Sequence, residues 1–280
     1  MKFICFGSGS SGNCYYLESR GTAVIIDLGI GIRAFKKHLR DYGLTIPTIA
    51  AVLVTHDHTD HVKAIGPFAQ EFRIPVYSSA LVHEGMHRNR FMTKKVPDEC
   101  KQMTTLNTPF TIGNFRITPF QVPHDSNDNN GYFIELIEAE EREDIFGPTP
   151  QETKPTFCLI TDAGHFTEDM VPYVQRARYL IIEANYDAQM LANGPYPKFL
   201  QNRISSGRGH MDNRLTAEAL RLHLTPATHH IWLCHLSEEN NYPQLAEKTI
   251  QSALDELEFS PKPQLSVLKR RVPSGLISLM

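Results

Sequence analysis

The most informative stretch of the chain is Val52-Leu53-Val54-Thr55-His56-Asp57-His58-Thr59-Asp60-His61. The apolar residues 50–54 predict a buried strand. The residues after it follow the pattern H-x-H-x-D-H, and imidazole and carboxylate are ligands that Zn²⁺ and related divalent cations bind. Burying these polar groups for packing alone would be costly, because unpaired polar groups lose hydration. The stretch therefore predicts a metal-binding loop at the start of a helix, and a solvated histidine-rich loop is the alternative.

Four further polar residues each follow an apolar, β-branched stretch, where ligand-bearing loops belong: Asp27, His124, Asp162 and His235. A lone histidine after a strand is usually structural, but five such elements in this order form a pattern. The pattern resembles the metal-binding signature of the metallo-β-lactamase superfamily of hydrolases. The resemblance implies an αββα sandwich of two mixed β-sheets flanked by helices. It also implies two divalent metal ions, with Zn or Mn expected and Fe as a further option.

In that resemblance each residue has a role. The first metal would be held by His56, His58 and His124, and the second by Asp60, His61 and His235. Asp162 would bridge the two metals, which would activate a water molecule. Asp27 would orient the histidines from outside the ligand set.

Composition agrees with one hydrolase domain over residues 1–280. The chain is 41% hydrophobic and 21% charged, which is ordinary for a globular enzyme. It contains no apolar run near the roughly 18 residues that span a bilayer, so we expect no membrane association. Five scattered cysteines favour a reducing cytoplasm over a disulfide framework. A net charge of -3 offers no bulk attraction to nucleic acid, so such binding would need local patches.

Strand-like and helix-like stretches alternate along the chain. Residues Gly21-Thr22 and Gly113-Asn114 predict hairpin turns. The acidic and then proline-rich residues 139–155 predict an exposed loop without chemistry. Strands are predicted over residues 3–6, 15–18, 23–27, 51–54, 115–121, 131–137, 157–161, 179–182 and 231–234, and helices over residues 32–39, 62–72, 216–224 and 243–257.

The segment Gly7-Ser8-Gly9-Ser10-Ser11-Gly12 satisfies the dinucleotide pattern G-x-G-x-x-G. That pattern requires a helix immediately afterwards, whereas the strand-like Cys14-Tyr15-Tyr16-Leu17 follows here. We therefore expect no nucleotide cofactor. Two interpretations stay open: a flexible turn between two strands, or a nest of backbone N–H groups that holds a substrate phosphate. In the second, Ser10 and Asn13 are candidate substrate contacts.

The same segment is similar to the N-terminal signature of the YycJ/WalJ-like branch of the superfamily. Residues 182–187 and the stretch from Gly194-Pro195-Tyr196-Pro197 to Gly209-His210-Met211 also resemble that branch. Tyr186 and the Met211-Asp212-Asn213 segment depart from its common pattern, but neither departure changes a ligand. The branch implies a DNA exonuclease that acts from the 5′ side, with a part in mismatch repair.

His210 resembles the histidine of the Gly-His-Ser/Thr motif in the tRNA 3′-processing endonucleases. In that resemblance His210 is a general acid near the scissile phosphate, and Glu183 is its partner. A buried carboxylate would raise the pKa of the histidine and keep its proton available near neutral pH. A surface loop histidine is the alternative. Asp60 belongs to the catalytic set as well as to the metal ligands.

Two basic clusters fit tracking of a DNA backbone: Arg88, Arg90, Lys94 and Lys95 in one segment, and Lys198, Arg203, Arg208 and Arg214 around His210. Arg203 and Arg208 are therefore candidate substrate contacts. Solvated surface charge is the alternative for the first cluster. Other functions with the same ligands stay open, namely a small-molecule ester or cyclic-phosphate hydrolase, or a non-catalytic metal-binding regulator.

Overall fold

Two seven-stranded sheets stack face to face, and helices cover their outer surfaces. The computed structural model describes residues 1–137 and 154–279, so most of the loop predicted at residues 139–155 lies outside the described residues. The strands are β1 Lys2–Gly7, β2 Cys14–Ser19, β3 Thr22–Ile26, β4 Ile49–Leu53, β5 Val76–Ser78, β6 Lys101–Met103, β7 Phe110–Ile112, β8 Phe115–Gln121, β9 Asn130–Leu136, β10 Thr156–Ile160, β11 Tyr179–Glu183, β12 His230–Cys234, β13 Gln264–Val267 and β14 Ile277–Ser278.

The helices lie mainly between strands of the same sheet. Short 3₁₀ turns at Ile46–Thr48, Asp98–Cys100 and Glu168–Met170 precede β4, β6 and the fifth helix. Among the described residues, no helix is long and apolar enough to cross a membrane. The helices are α1 Ile32–Asp41, α2 Thr59–Val62, α3 Ile65–Phe72, α4 Ala80–Arg88, α5 Val171–Arg176, α6 Ala188–Asn193, α7 Lys198–Ile204, α8 Asn213–His223 and α9 Pro243–Asp255.

Both sheets are mixed, and each has one parallel half. In the order β14-β1-β2-β3-β4-β5-β6, the pairs from β3 to β6 are parallel. In the order β13-β12-β11-β10-β9-β8-β7, the pairs from β10 to β13 are parallel. In the parallel half of each sheet the strands' carboxyl ends lie on one side, and the loops there can converge on one site.

The strands alternate their side chains between two apolar layers, as a period of two requires. In β3, Val24 faces the core between the sheets, and Ile25 faces the helices. In β10, Leu159 faces the core between the sheets, and Ile160 faces the helices. The central layer includes Trp232, which is almost fully buried. The predicted αββα sandwich is confirmed.

The predicted helix over residues 62–72 is wrong in one respect, because it is two helices. Lys63 and Ala64 separate α2 from α3, and Ala64 has a non-helical backbone with φ of -108°. Its N–H donates to the carbonyl oxygen of Leu28 instead of extending the first helix. The two predicted hairpins are confirmed, since Gly21 and Gly113 join antiparallel strands with left-handed φ angles of 79° and 55°.

Candidate active site

The metal loop follows β4 and enters α2. His56 is fully buried, and its Nε2 atom has no hydrogen-bond partner among the described residues. A buried nitrogen without a partner is costly, unless a cation takes the lone pair. His58 precedes α2 with an extended backbone, and Asp60 and His61 lie in its first turn.

Three site residues at strand ends share an uncommon backbone conformation. Asp27 after β3, Asp162 after β10 and His235 after β12 have φ angles of 58°, 53° and 54°. Left-handed backbone is unusual outside glycine, although Asp and His tolerate it better than most residues. Such residues cluster at functional sites, where the surrounding structure holds them in place.

The first group of possible ligands contains three histidines. Ligand atoms of His56, His58 and His124 all lie within 4.8 Å of one another. His124 Nδ1 lies 2.9 Å from the carbonyl oxygen of Gly209, to which it can donate. That contact leaves His124 Nε2 for a ligand, 3.2 Å from His58 Nδ1. A backbone carbonyl that fixes the tautomer of a histidine is typical of metal sites.

The second group lies beside the first, with Asp162 between them. Ligand atoms of Asp60, His61 and His235 also lie within 4.8 Å of one another. Asp162 Oδ2 is 3.1 Å from His61 Nε2, and Oδ1 is 3.4 Å from His235 Nδ1 and 3.9 Å from His124 Nε2. The structure thus places the predicted bridging carboxylate between the two groups. We call these seven residues the ligand cluster: His56, His58, Asp60, His61, His124, Asp162 and His235.

Asp27 is fully buried and lies behind the ligand cluster. It accepts hydrogen bonds from the N–H and the hydroxyl of Thr55, both at 2.8 Å. Its Oδ2 lies 2.7 Å from His61 Nδ1. These contacts fix both the metal loop and the orientation of His61, and His61 Nε2 therefore faces Asp162.

Glu183 links the ligand cluster to His210. Its Oε1 atom lies 2.8 Å from His210 Nδ1 and 3.0 Å from His235 Nδ1. Its Oε2 atom accepts from the N–H groups of Ala163 and Met211. The side chain of His210 is 20% exposed. Since Nδ1 is engaged by Glu183, Nε2 is the nitrogen available to a substrate.

Burial and the neighbouring charges together shift the pKa values of the histidines in the site. Burial and the neighbouring His61 hold the pKa of His56 well below its ordinary value, and burial lowers the pKa of His124 to about 4. Burial acts the same way on His235, but Asp162, Asp60 and Glu183 raise its pKa to about 10. Burial also opposes the charge on His210, but Glu183 and then Asp162 raise its pKa.

The predicted substrate contacts lie in different environments. Ser10 is exposed and lines a small pocket with His210 and His235. Arg203 is exposed and pairs with Asp125, and Arg208 donates through Nε to the carbonyl oxygen of His124 at 3.3 Å. Asn13 is fully buried instead. It accepts from the N–H of Gly9 at 2.8 Å, and its Nδ2 lies 2.9 Å from His61 Nε2.

A separate open pocket, which His58 also lines, runs along the first basic segment. It is lined by Arg88, Arg90 and Phe91, together with Asp57 and Thr59. The Phe91 side chain is 75% exposed. Lys95 differs from these arginines because its ammonium donates to backbone carbonyl oxygens of Met86 and Asn89. We call the four exposed arginines on the two sides of the ligand cluster the basic rim: Arg88, Arg90, Arg203 and Arg208.

Some residues of the site carry no sequence signal of their own. Asn185 donates through Nδ2 to the carbonyl oxygen of His235 at 2.7 Å, and Ser8 accepts from the N–H of His235 at 2.9 Å. Arg270 donates to the carbonyl oxygen of Leu236 at 2.9 Å. Asn185 and Ser8 could have been found from the sequence, because both lie in segments that resemble the YycJ/WalJ-like branch, whereas Arg270 does not.

Comparison with known proteins identifies the family. The model of the beta-lactamase superfamily domain matches residues 22–236. The chain belongs to this superfamily. It is 28% identical to exodeoxyribonuclease YycJ of Bacillus anthracis, over 92% of this chain and 91% of that protein. It is 30% identical to exodeoxyribonuclease WalJ of Streptococcus pneumoniae, over 91% of this chain and 88% of that protein.

Among solved structures, the superfamily fold recurs in Zn²⁺-bound PqqB from Methylobacterium extorquens. The TM-score is 0.70 at 14% identity, over the whole length of both chains. This likeness supports the fold alone. Family membership and the two relatives confirm the expected enzyme class, and the chain is a metal-dependent hydrolase whose histidine and aspartate groups suit a divalent cation.

Proposed function

We propose that this protein is a phosphodiesterase that removes nucleotides from the 5′ ends of DNA with two divalent metal ions. The observation that carries the proposal is the position of His210, 2.8 Å from Glu183 and next to the ligand cluster. A metal site alone serves many hydrolases, whereas a cationic histidine beside it suits a leaving group that needs a proton. The two relatives named exodeoxyribonucleases support DNA as the substrate.

The residues of the ligand cluster fit two cations. The nitrogen of His56 that lacks a partner and the carboxylate of Asp162 between two groups are what a pair of cations requires. His56, His58 and His124 would hold one cation, Asp60, His61 and His235 the other, and Asp162 both. When bound, such cations lower the pKa of a water molecule and polarise the phosphoryl group.

The remaining steps belong to the protein's own side chains. His210 Nε2 donates its proton to the oxygen that leaves the phosphorus, and Glu183 stabilises the cationic imidazole until then. Asp27 keeps His61 in its orientation through the 2.7 Å contact. Arg203 and Arg208 bind backbone phosphates beside His210, and Arg88 and Arg90 bind them on the other side of His58.

Asn13 has a different role in this scheme from the one that its sequence position predicts. Its amide lies inside the loop, against Gly9 and His61, and is fully buried. We propose that Asn13 positions the glycine-rich loop and His61, while Ser10 alone of the two faces the substrate. We further propose that residues 1–280 act as one hydrolase domain in the cytoplasm and contribute to DNA mismatch repair.

The direct test uses duplex and single-stranded DNA labelled at either the 5′ or the 3′ end, with Zn²⁺, Mn²⁺ or no metal. We expect a labelled mononucleotide as the first product from the 5′ label, and progressive shortening of the 3′-labelled strand. The variant Asp162→Asn, which keeps the side-chain size, is the inactive control. Hydrolysis of a chromogenic phosphodiester without action on DNA would indicate a small-molecule hydrolase. No hydrolysis with metal bound would indicate a regulator.

A further inference from the structure

A pocket lies directly beside His210. Its volume is about 190 Å³. Tyr196, Leu200 and Ile204 form an apolar wall, and Asp125 and Arg203 form a charged edge. Nothing in the proposed chemistry uses this wall, although His210 itself lines the pocket.

The wall is built by α7 and the residues before it. Leu200 and Ile204 are four residues apart and therefore lie on one face of the helix. The carbonyl oxygen of Tyr196 accepts from Gln201 Nε2 at 2.9 Å, which holds the segment before the helix against its first turn. Tyr196 also lines the smaller pocket that contains Ser10 and His235. Tyr196 therefore lines both of these pockets, as His210 does.

The chemistry of the pocket fits one nucleoside. An aromatic ring with aliphatic neighbours offers a surface on which any base can stack. A guanidinium at the edge suits the phosphate that the nucleoside carries. The volume is below the roughly 300–1,000 Å³ of pockets for drug-sized ligands. A pocket of this size matches one nucleoside rather than several.

We infer that this pocket binds the terminal nucleoside that departs in the reaction, an inference that rests on the proposed function. Water adds to the phosphorus of the second nucleotide, and the bond from that phosphorus to the 3′-oxygen of the terminal nucleotide breaks. The 3′-oxygen takes the proton of His210, and the proton lost by the attacking water goes to solvent. The terminal nucleotide leaves with a 3′-hydroxyl, and the strand keeps a new 5′-phosphate.

The position of the pocket also accounts for polarity. The leaving oxygen must lie at His210, so the pocket beside His210 receives whatever is attached to that oxygen. In attack from the 5′ end this group is one nucleotide. In attack from the 3′ end it would be the whole remaining strand, which a pocket of one nucleoside does not match. The pocket therefore favours attack from the 5′ end with a mononucleotide product.

The test compares Tyr196→Ala and Tyr196→Phe on two duplexes, one with a normal 5′-terminal nucleotide and one with an abasic 5′-terminal nucleotide. Phe199→Ala is the matched control, because Phe199 lies on α7 beside the pocket, is 75% exposed and does not line the pocket. From the stacking of one base we expect Tyr196→Ala to lose about 5- to 100-fold in kcat/KM on the normal duplex. Tyr196→Phe and Phe199→Ala should stay near the wild type.

The abasic duplex separates stacking from a structural role. The wild type should lose a similar factor when the terminal base is removed, and Tyr196→Ala should then lose little more. Equal losses of Tyr196→Ala on both duplexes, or an equal loss in Phe199→Ala, would overturn the inference while the nuclease activity stands. If the metal-loaded wild type cleaves neither duplex, the proposed function itself fails, and the inference fails with it.

Discussion

The ligand cluster and the basic rim lie on the same face of the molecule but are held in different ways. Asp162 is almost fully buried between histidines, and its left-handed backbone, with φ of 53°, is fixed by the end of the sheet. The arginines of the rim are exposed, and their ion pairs, such as those of Arg88 with Glu84 and Arg203 with Asp125, are of the kind worth about 0–1 kcal/mol.

This difference separates chemistry from binding. The fold imposes the geometry of the ligand cluster, because three of its supporting strand ends carry backbone conformations that cost about 1–3 kcal/mol unless the surroundings hold them. The rim has no such constraint and can adapt to a flexible substrate. Changes in the cluster should therefore abolish turnover, and changes in the rim should produce graded effects on binding.

The largest effect is expected for Asp162→Ala. A carboxylate between two cations cannot be replaced by a methyl group without losing the charge that holds them together, so turnover should fall by about 10³-fold or more. Asp162→Asn, which keeps the size but removes the charge, should fall nearly as far. DNA hydrolysis, metal content and circular dichroism would be measured together. Wild-type turnover in Asp162→Ala would contradict the division between cluster and rim.

His210 lies at the border of the two regions and should show the next largest effect. His210→Ala should keep its metal but lose about 10²- to 10⁴-fold in turnover on DNA, the usual size of general-acid catalysis. The loss should be much smaller on a nitrophenyl phosphodiester, whose leaving group needs no proton. Glu183→Gln should show a smaller loss of turnover than His210→Ala. Equal losses on both substrates would place His210 with the residues that bind phosphate.

Metal binding should depend on pH because of His235 and His61. Against burial, Asp162, Asp60 and Glu183 raise the pKa of His235 to about 10, and Asp162, Asp27 and Asp60 raise the pKa of His61 well above its ordinary value. Near neutral pH a cation must therefore displace a proton from each histidine, and its apparent affinity should rise by up to about tenfold per pH unit for each proton released. Calorimetry at pH 7.5 in buffers of different ionisation enthalpy would count the protons. Binding without proton release would argue against His235 and His61 as ligands.

The smallest effect is expected in the rim. The double variant Arg88→Ala/Arg90→Ala should raise KM for DNA several-fold and leave turnover of a nitrophenyl phosphodiester unchanged. The dependence of DNA binding on salt should weaken by about one unit of slope for each arginine that no longer binds a phosphate. Arg40→Ala, an exposed arginine on α1, is the matched control. A loss of turnover on the small substrate would show that the rim supports the chemistry as well.

The sequence predicts the long strands that carry the ligand cluster better than the short elements around them, for a physical reason. Asp162 and His235 each end a strongly apolar strand, and such strands are recognisable without tertiary contacts. The three-residue strands β5 and β6 have too little periodicity to be recognised, because they are held by their neighbours in the sheet. Helix α7 is short in the same way, and the pocket that it forms beside His210 could not be predicted.

Burial is the other property that the sequence leaves open. The position of Asn13 after a glycine-rich loop predicts a substrate contact. In the fold its side chain is instead buried against Gly9 and His61. Ser8 contacts His235 across 227 positions of the chain, which no local pattern encodes. The candidate metal ligands could be named from their order in the chain, whereas the residues that support them depend on how the two sheets meet.

The central claim is that the ligand cluster binds two cations and that both are needed for hydrolysis of DNA. The most direct measurement titrates metal-free protein with Mn²⁺ or Zn²⁺ and follows bound metal and DNA turnover in the same samples. We expect two cations per chain, with turnover appearing as the second one binds, and little turnover in Asp162→Ala at any metal concentration. Full turnover with one cation per chain, or in the presence of a chelator, would contradict the claim.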